Sequence, residues 1–235
     1  RTVRWNPIVR LATRQAAVVL FANEDSRQRL HGLVQRHVMM LETAFDEDEV
    51  AVARSYPEAS QELRLLWLSH AEHRKGLMLA IDAIALAKES VHQHLVLDVV
   101  GDGPALQAAR EQIDETGLQA SVNVHGRIPF QQVSEYMSNA HALLFTSMQD
   151  TSGNVLLEAM AAGTPPIAPR HQGAAQILAG GGGLLFDVDT YSATVTNIAA
   201  AIAQFSKDSE LREHLSREAR ERIGKEFSWR AKSTR

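Results

Sequence analysis

Asp150 and Glu158 stand eight residues apart on either side of Thr151-Ser152-Gly153-Asn154-Val155, a mostly polar stretch with one glycine. An apolar run, Ala142 to Ser147, leads into them, so the segment reads as strand, loop and helix start, with Glu158 about one turn inside the helix. The first backbone N–H groups of a helix have no partner within it and lie at the positive end of its dipole, which suits an anion or a sugar oxygen. Carboxylates at either side add acceptors for hydroxyl groups. The types and spacing therefore fit the binding of a phosphate or a polyol. Each residue also has a plainer reading: Asp150 as an Asx-turn residue accepting from the N–H of Ser152 or Gly153, Glu158 as a carboxylate near a helix start, and Ser152 and Asn154 as helix caps.

The elements that must position these groups alternate between short apolar runs and helical patterns from Leu63 onward, the signature of βαβ units and a parallel sheet. Strands are predicted at Leu63–Ser69, Leu95–Val100, Ser121–Val124, Ala142–Ser147, Pro165–Ala168 and Leu184–Phe186. Helices are predicted at Lys75–Lys88, Pro104–Thr116, Phe130–Asn139, Asn154–Ala162, Ala174–Ala179, Tyr191–Phe205 and Ser209–Glu226. Gly101, Gly103, Gly117, Gly126, Gly163 and Gly173 fall at the junctions, where turns and helix ends favour residues free of a Cβ. Upstream, Arg1–Thr13 reads as a helix, Ala17–Ala22 as a strand, Asp25–Gln35 as a helix and Val38–Ala44 as a strand, followed by acidic Asp46–Glu49 and a linker at Tyr56–Gln61. That upstream segment has too little apolar surface for a core of its own, so it is expected to pack against something supplied elsewhere.

With 235 residues and 45% apolar content, the chain can bury one full domain core and a smaller piece. Its 24 basic and 28 acidic side chains are interspersed and sum to a formal charge of −4, which offers no general field for nucleic acid. The absence of cysteine removes disulfides, thiolate metal sites and thiol catalysis, and it is compatible with a reducing compartment. No run is long and apolar enough to span a bilayer and no signal peptide is visible, so the expectation is a cytoplasmic protein, with peripheral membrane contact left open. The 10 histidines show no metal-ligand spacing, and no metal site is expected. The start at Arg1, inside a helical pattern, reads as a piece of a longer protein.

Several landmarks occur together: Arg74-Lys75-Gly76, Val100-Gly-Asp-Gly-Pro104, His125-Gly126-Arg127-Ile128, the Asp150 and Glu158 segment, Gly173 and Phe227-Ser-Trp229. In kind, order and spacing they resemble the glycosyl transferases group 1 family, and the resemblance runs from Leu63 to Trp229. Asp150 and Glu158 match its E-x7-E motif, with Asp150 where the family usually has Glu. The resemblance implies the carboxy-terminal, Rossmann-like half of a GT-B fold. Residues 1–55 would then be the tail of the amino-terminal, acceptor-side domain with its linker. Residues 56–226 would be the nucleotide-sugar donor domain, a doubly wound parallel α/β sheet, and 227–235 the start of a carboxy-terminal tail.

The same resemblance implies a retaining transferase that moves a sugar from a nucleoside-diphosphate sugar to an acceptor hydroxyl, with the amino-terminal domain as partner and without a metal or other cofactor. It assigns Lys75, Asp150 and Glu158 to catalysis. Lys75 and Arg74 would face the diphosphate: a cation at the positive end of a helix is disfavoured by a few tenths to about 1 kcal/mol, and a phosphate turns that repulsion into charge-assisted hydrogen bonds. The alternative is a pair of solvated surface charges. Asp150 would hold sugar hydroxyls, Glu158 the ribose, and Thr151, Ser152, Gly153, Asn154 and Val155 would supply backbone N–H groups. Gly126, Arg127 and Ile128 would recognise the base, with Phe130 either flanking it or packing in the core. The family pattern Gly-Arg-x-x-x-Arg-Lys-Gly aligns with Ser69-His-Ala-Glu-His-Arg-Lys-Gly76, so His70 replaces a diphosphate-binding arginine. Histidine is mostly neutral at pH 7, so His70 would hold a diphosphate best on the acid side, or else serve as a hydrogen-bonding loop residue. Two other readings remain: a nucleotide-binding module without transferase activity, and a GT-B-fold nucleotide-sugar epimerase.

Overall fold

A computed structural model describes residues 6–40, 62–150 and 152–233. Its centre is a six-stranded sheet of β3 (Glu62–Leu68), β4 (His94–Val100), β5 (Val122–Gly126), β6 (Ala142–Leu144), β7 (Pro166–Pro169) and β8 (Leu184–Phe186), and every pairing is parallel. The spatial order is β5-β4-β3-β6-β7-β8. Numbered from its first strand, this sheet has the order 3-2-1-4-5-6 of a doubly wound nucleotide-binding fold. The chain winds outward in one direction after β3 and in the other after β6. Between those two neighbours lies the crevice where such sheets bind ligands.

Both sheet faces are buried, which explains the continuous apolar strand runs. Leu63, Leu65 and Trp67 of β3 pack on one side with α3 (Leu77–Ala87) and α8 (Tyr191–Lys207), while Leu66 packs on the other with α5 (Phe130–Asn139) and α6 (Asn154–Ala161). Helix α3 is buried at seven of its residues because it lies between the sheet and α8. The remaining helices of this part are α4 (Leu106–Glu115), α7 (Gln172–Leu178), α9 (Ser209–Arg222) and α10 (Trp229–Ser233).

Most element ends shift by one or two residues from the sequence expectation, and the helix expected over Asp25–Gln35 is shorter, ending at Arg29 with Leu30 as its C-cap; three further shifts bear on the donor part. Helix α3 begins at Leu77 rather than Lys75, because Gly76 adopts φ 69° and the preceding His73–Lys75 forms a tight 3-10 turn. Strand β6 ends at Leu144 rather than Ser147, since the chain then leaves to cross above Gly76. Helix α9 ends at Arg222, and Ile223–Phe227 continues as a π-helical turn.

The amino-terminal part contains α1 (Pro7–Gln15), β1 (Val19–Phe21), α2 (Glu24–Arg29) and β2 (His37–Met39), with β1 and β2 paired in parallel. Asn6 caps α1 through its side chain and Pro7 occupies the first turn, as helix-start chemistry demands. Ile8, Leu11, Leu20 and Val38 stay exposed, in keeping with a segment that lacks a full core. The acidic Asp46–Glu49 and the linker Tyr56–Gln61 lie outside the described residues.

Candidate functional site

The loops after β3 and β6 meet at the carboxyl ends of the central strands and are laced together by backbone geometry. A Cβ at Gly76 would collide with the carbonyl oxygen of Thr146, so only glycine permits this approach. The Thr146 hydroxyl donates toward the carbonyls of Lys75 (3.0 Å) and Gly76 (2.8 Å) and accepts the Trp67 indole N–H at 3.1 Å. Met148 N–H donates to the Arg74 carbonyl at 2.8 Å, and the Arg74 guanidinium donates to the Gln149 carbonyl at 2.9 Å. The Gly101–Pro104 loop closes on the same region, with a Cβ at Gly101 blocked by the Ser69 carbonyl.

Within this frame Lys75 Nζ sits 2.5 Å from Asp150 Oδ2, with the two side chains only 14% and 19% exposed. The sequence reading had Lys75 as a cation facing a helix dipole; its charge is instead met by a carboxylate 75 positions later. Asp150 Oδ1 also accepts the Gly153 N–H at 3.1 Å, so the Asx-turn alternative holds together with the ion pair. Gly153 then takes φ 61° as the N-cap of α6, and no side chain caps that helix. Asn154 is therefore the first helical residue and is exposed, so neither it nor Ser152 acts as the cap anticipated from sequence. Glu158 lies half-buried in the second turn, between buried Leu157 and Ala159. Ser152 and Val155 are half-buried, and Thr151 lies outside the described residues.

The other expected residues cluster around Asp102. His70 Nδ1 is 3.1 Å from Asp102 Oδ1 and His70 Nε2 is 4.0 Å from Glu72, while the Arg127 guanidinium is 4.0 Å from Asp102. Glu72 also pairs with Arg74 at 2.6 Å. Gly126, at φ 69°, accepts the Gly101 N–H through its carbonyl, Ile128 packs against the α5 side of the core, and Arg127 is exposed. Phe130 is 83% exposed, which removes the core-packing alternative for it.

Sequence reasoning missed Asp102 as the partner of His70, although it stands inside the Gly-Asp-Gly-Pro landmark. It also missed Gln172, whose side-chain oxygen accepts the Asp150 N–H at 2.9 Å, and Asp25, which accepts the Gln172 N–H at 2.7 Å. Pairings across 22 and 147 positions leave no local pattern to read.

A concavity of about 580 Å³ lies beside α5 and is lined by Arg64, Asp98, His125 and Tyr136 among others. Burial pushes the Asp98 carboxyl up, but hydrogen bonds from His125, Asn123 and Arg64, with the Arg64 charge, outweigh it and hold the group below the usual carboxylate range. The groove contains none of the residues expected to bind a donor. Among the described residues, no group of three His, Asp or Glu side chains is placed to hold a metal ion, and no helix is long and apolar enough to cross a membrane.

A parallel sheet whose strand order reverses between β3 and β6 defines a doubly wound, Rossmann-like α/β protein. Comparison with known proteins narrows this: the Glycosyl transferases group 1 family model matches residues 51–222, and the chain belongs to that family. The chain is 27% identical, over 94% of its length and 58% of the relative's, to N-acetyl-alpha-D-glucosaminyl L-malate synthase of Bacillus anthracis. It superposes on WaaG, a glycosyltransferase involved in lipopolysaccharide biosynthesis, with TM-score 0.74 at 20% identity, covering 100% of this chain and 68% of that one. Anabaena HepE, solved with UDP-glucose, matches with TM-score 0.70 at 20% identity over 93% of this chain and 62% of that one. These likenesses define the fold as that of a GT-B glycosyltransferase. The chain spans about half the length of the curated relatives it matches, 58% and 45% in two cases.

Proposed function

We propose that this chain is the donor-binding part of a retaining glycosyltransferase, which moves a sugar from a nucleoside-diphosphate sugar to an acceptor hydroxyl. Residues 56–226 form the donor unit in this reading, 1–55 the tail of the acceptor-side domain with its linker, and 227–235 the start of the carboxy-terminal tail. The observation that carries it is the Lys75–Asp150 pair at the switch point, beside the α6 N-terminus. Family membership and the UDP-glucose held by HepE support the same donor class.

The chemistry follows from the leaving group. As the sugar–phosphate bond lengthens, negative charge grows on the diphosphate and must be stabilised. Lys75 and the α6 N-terminus supply positive charge there without a metal, and Arg74 adds to it. Donor binding opens the Lys75–Asp150 pair: the ammonium turns to the phosphate, and the freed carboxylate oxygen accepts from sugar hydroxyls. Glu158 holds the ribose, Ser152 to Val155 with Thr151 supply N–H groups, and Gly126 to Ile128 with Arg127 border the base. His70, set between Asp102 and Glu72, borders the diphosphate in this reading.

Replacing Glu158 with Gln tests this assignment by calorimetric titration with nucleoside diphosphates in chelator. Wild type is expected to prefer ribonucleotide over 2′-deoxyribonucleotide, and Glu158→Gln to lose about 1–3 kcal/mol of affinity together with that preference. A preference that survives the substitution removes Glu158 from the ribose site. Binding that requires a divalent metal contradicts the metal-free reading.

A further inference from the structure

We propose that Gln172 is a positioning residue of the donor site, holding Asp150 in place and linking it to Asp25 of the amino-terminal segment; this rests on the assignment of Asp150 to the donor sugar. Gln172 opens α7 with φ 50°, and it is the single non-glycine residue with positive φ among the described residues. An L-residue adopts that conformation at an energetic cost glycine escapes, so something must offset it. Two hydrogen bonds do so: the backbone N–H donates to Asp25 Oδ2 at 2.7 Å, and Oε1 accepts the Asp150 N–H at 2.9 Å.

The consequence lies at Asp150. Its carboxylate is held by Lys75 at 2.5 Å and by the Gly153 N–H at 3.1 Å, and Gly173 N–H points at its carbonyl from 3.5 Å. The Gln172 side-chain oxygen accepts the Asp150 backbone N–H at 2.9 Å. Without it, the half-buried Asp150 N–H loses its acceptor, and the Asp150 carboxylate is held less firmly against Lys75. Because Asp25 fixes the Gln172 backbone, a shift of α2 is transmitted through Gln172 to Asp150. The amino-terminal segment thereby reaches the donor site through one side chain.

Two variants separate positioning from a merely structural role. Gln172→Gly suits the backbone angle and deletes the side chain; Gln172→Met keeps length but removes the acceptor. Each is titrated in chelator with UDP, GDP and ADP and with their glucose conjugates, and its melting temperature is recorded. The expected result is a nucleoside-diphosphate affinity within about twofold of wild type, and loss of roughly tenfold in the ratio of sugar-conjugate to diphosphate affinity in both variants. Gln172→Gly exchanges backbone strain for the lost acceptor, so it should melt close to wild type. An unchanged ratio in either variant overturns the inference and leaves the site intact. A wild type that binds none of these ligands sinks the site reading, and this inference with it.

Discussion

Lys75 and Asp150 illustrate how one pair can serve both folding and binding. Two charges less than one-fifth exposed attract each other strongly only because they are mutually paired, and removing one leaves the other in a poor environment. Lys75→Ala is expected to lower folding stability by about 1–3 kcal/mol and to weaken nucleoside-diphosphate binding about 10- to 100-fold, the loss of one or two charge-assisted hydrogen bonds. Urea denaturation and calorimetry measure the two effects separately, and loss of stability with unchanged affinity would make the pair purely structural. A second residue-scale test concerns His171, whose Nδ1 is buried without a hydrogen-bond partner. Burial pushes its imidazole below the usual histidine range, while the Asp25 carboxylate pulls the other way. The folded state then binds the proton more weakly than the unfolded chain, so this contribution is fully present above pH about 6.5 and is lost as pH falls toward the depressed value. His171→Asn should flatten that part of the stability profile between pH 8 and 5, and an identical slope in the variant would contradict it. At this scale the sequence made residue types and spacings legible, as with Lys75, Asp150 and Glu158. It could not show which donor meets which carboxylate, because Lys75–Asp150, His70–Asp102 and Gln172–Asp25 are partners only once elements from distant positions lie side by side.

At the scale of elements, the switch point depends on close approaches between loops. Gly101, at φ 132°, lies against the Ser69 carbonyl, whereas Gly117, at φ 66°, has open space where a Cβ would sit. Gly117→Ala should therefore cost only the backbone strain, about 1 kcal/mol. Gly101→Ala should cost more, roughly 2–4 kcal/mol, because the loop carrying Asp102 must also move. Chemical-denaturation midpoints of the two variants check this, and equal losses would mean that the contact with Ser69 does not matter. The alternating apolar runs and junction glycines were enough to read all six central strands, since a strand buried on both faces carries a continuous apolar signature. Helix and strand ends were less legible. Lys75 follows a helical pattern into Leu77, yet Gly76 has left-handed backbone because the β6 loop crosses directly over it, and that crossing is tertiary.

Across the described residues apolar burial is uneven. The six-stranded sheet and its helices enclose two continuous apolar clusters, one on each face, while the amino-terminal segment leaves Ile8, Leu11, Leu20 and Val38 uncovered. The segment touches the donor side through Asp25 and through α2 against α7, and among the described residues it carries more of the exposed large apolar side chains than the donor part does. In the proposed function the nucleotide lies at the switch point between β3 and β6. Titration of ¹⁵N-labelled chain with UDP, followed by amide chemical shifts in chelator, checks that position. The largest changes are expected at Gly76, at Gly126 to Ile128 and from Ser152 to Glu158, with the groove beside α5 unaffected. Changes confined to Arg64, Asp98, His125 and Tyr136 would put the ligand in that groove and contradict the claim.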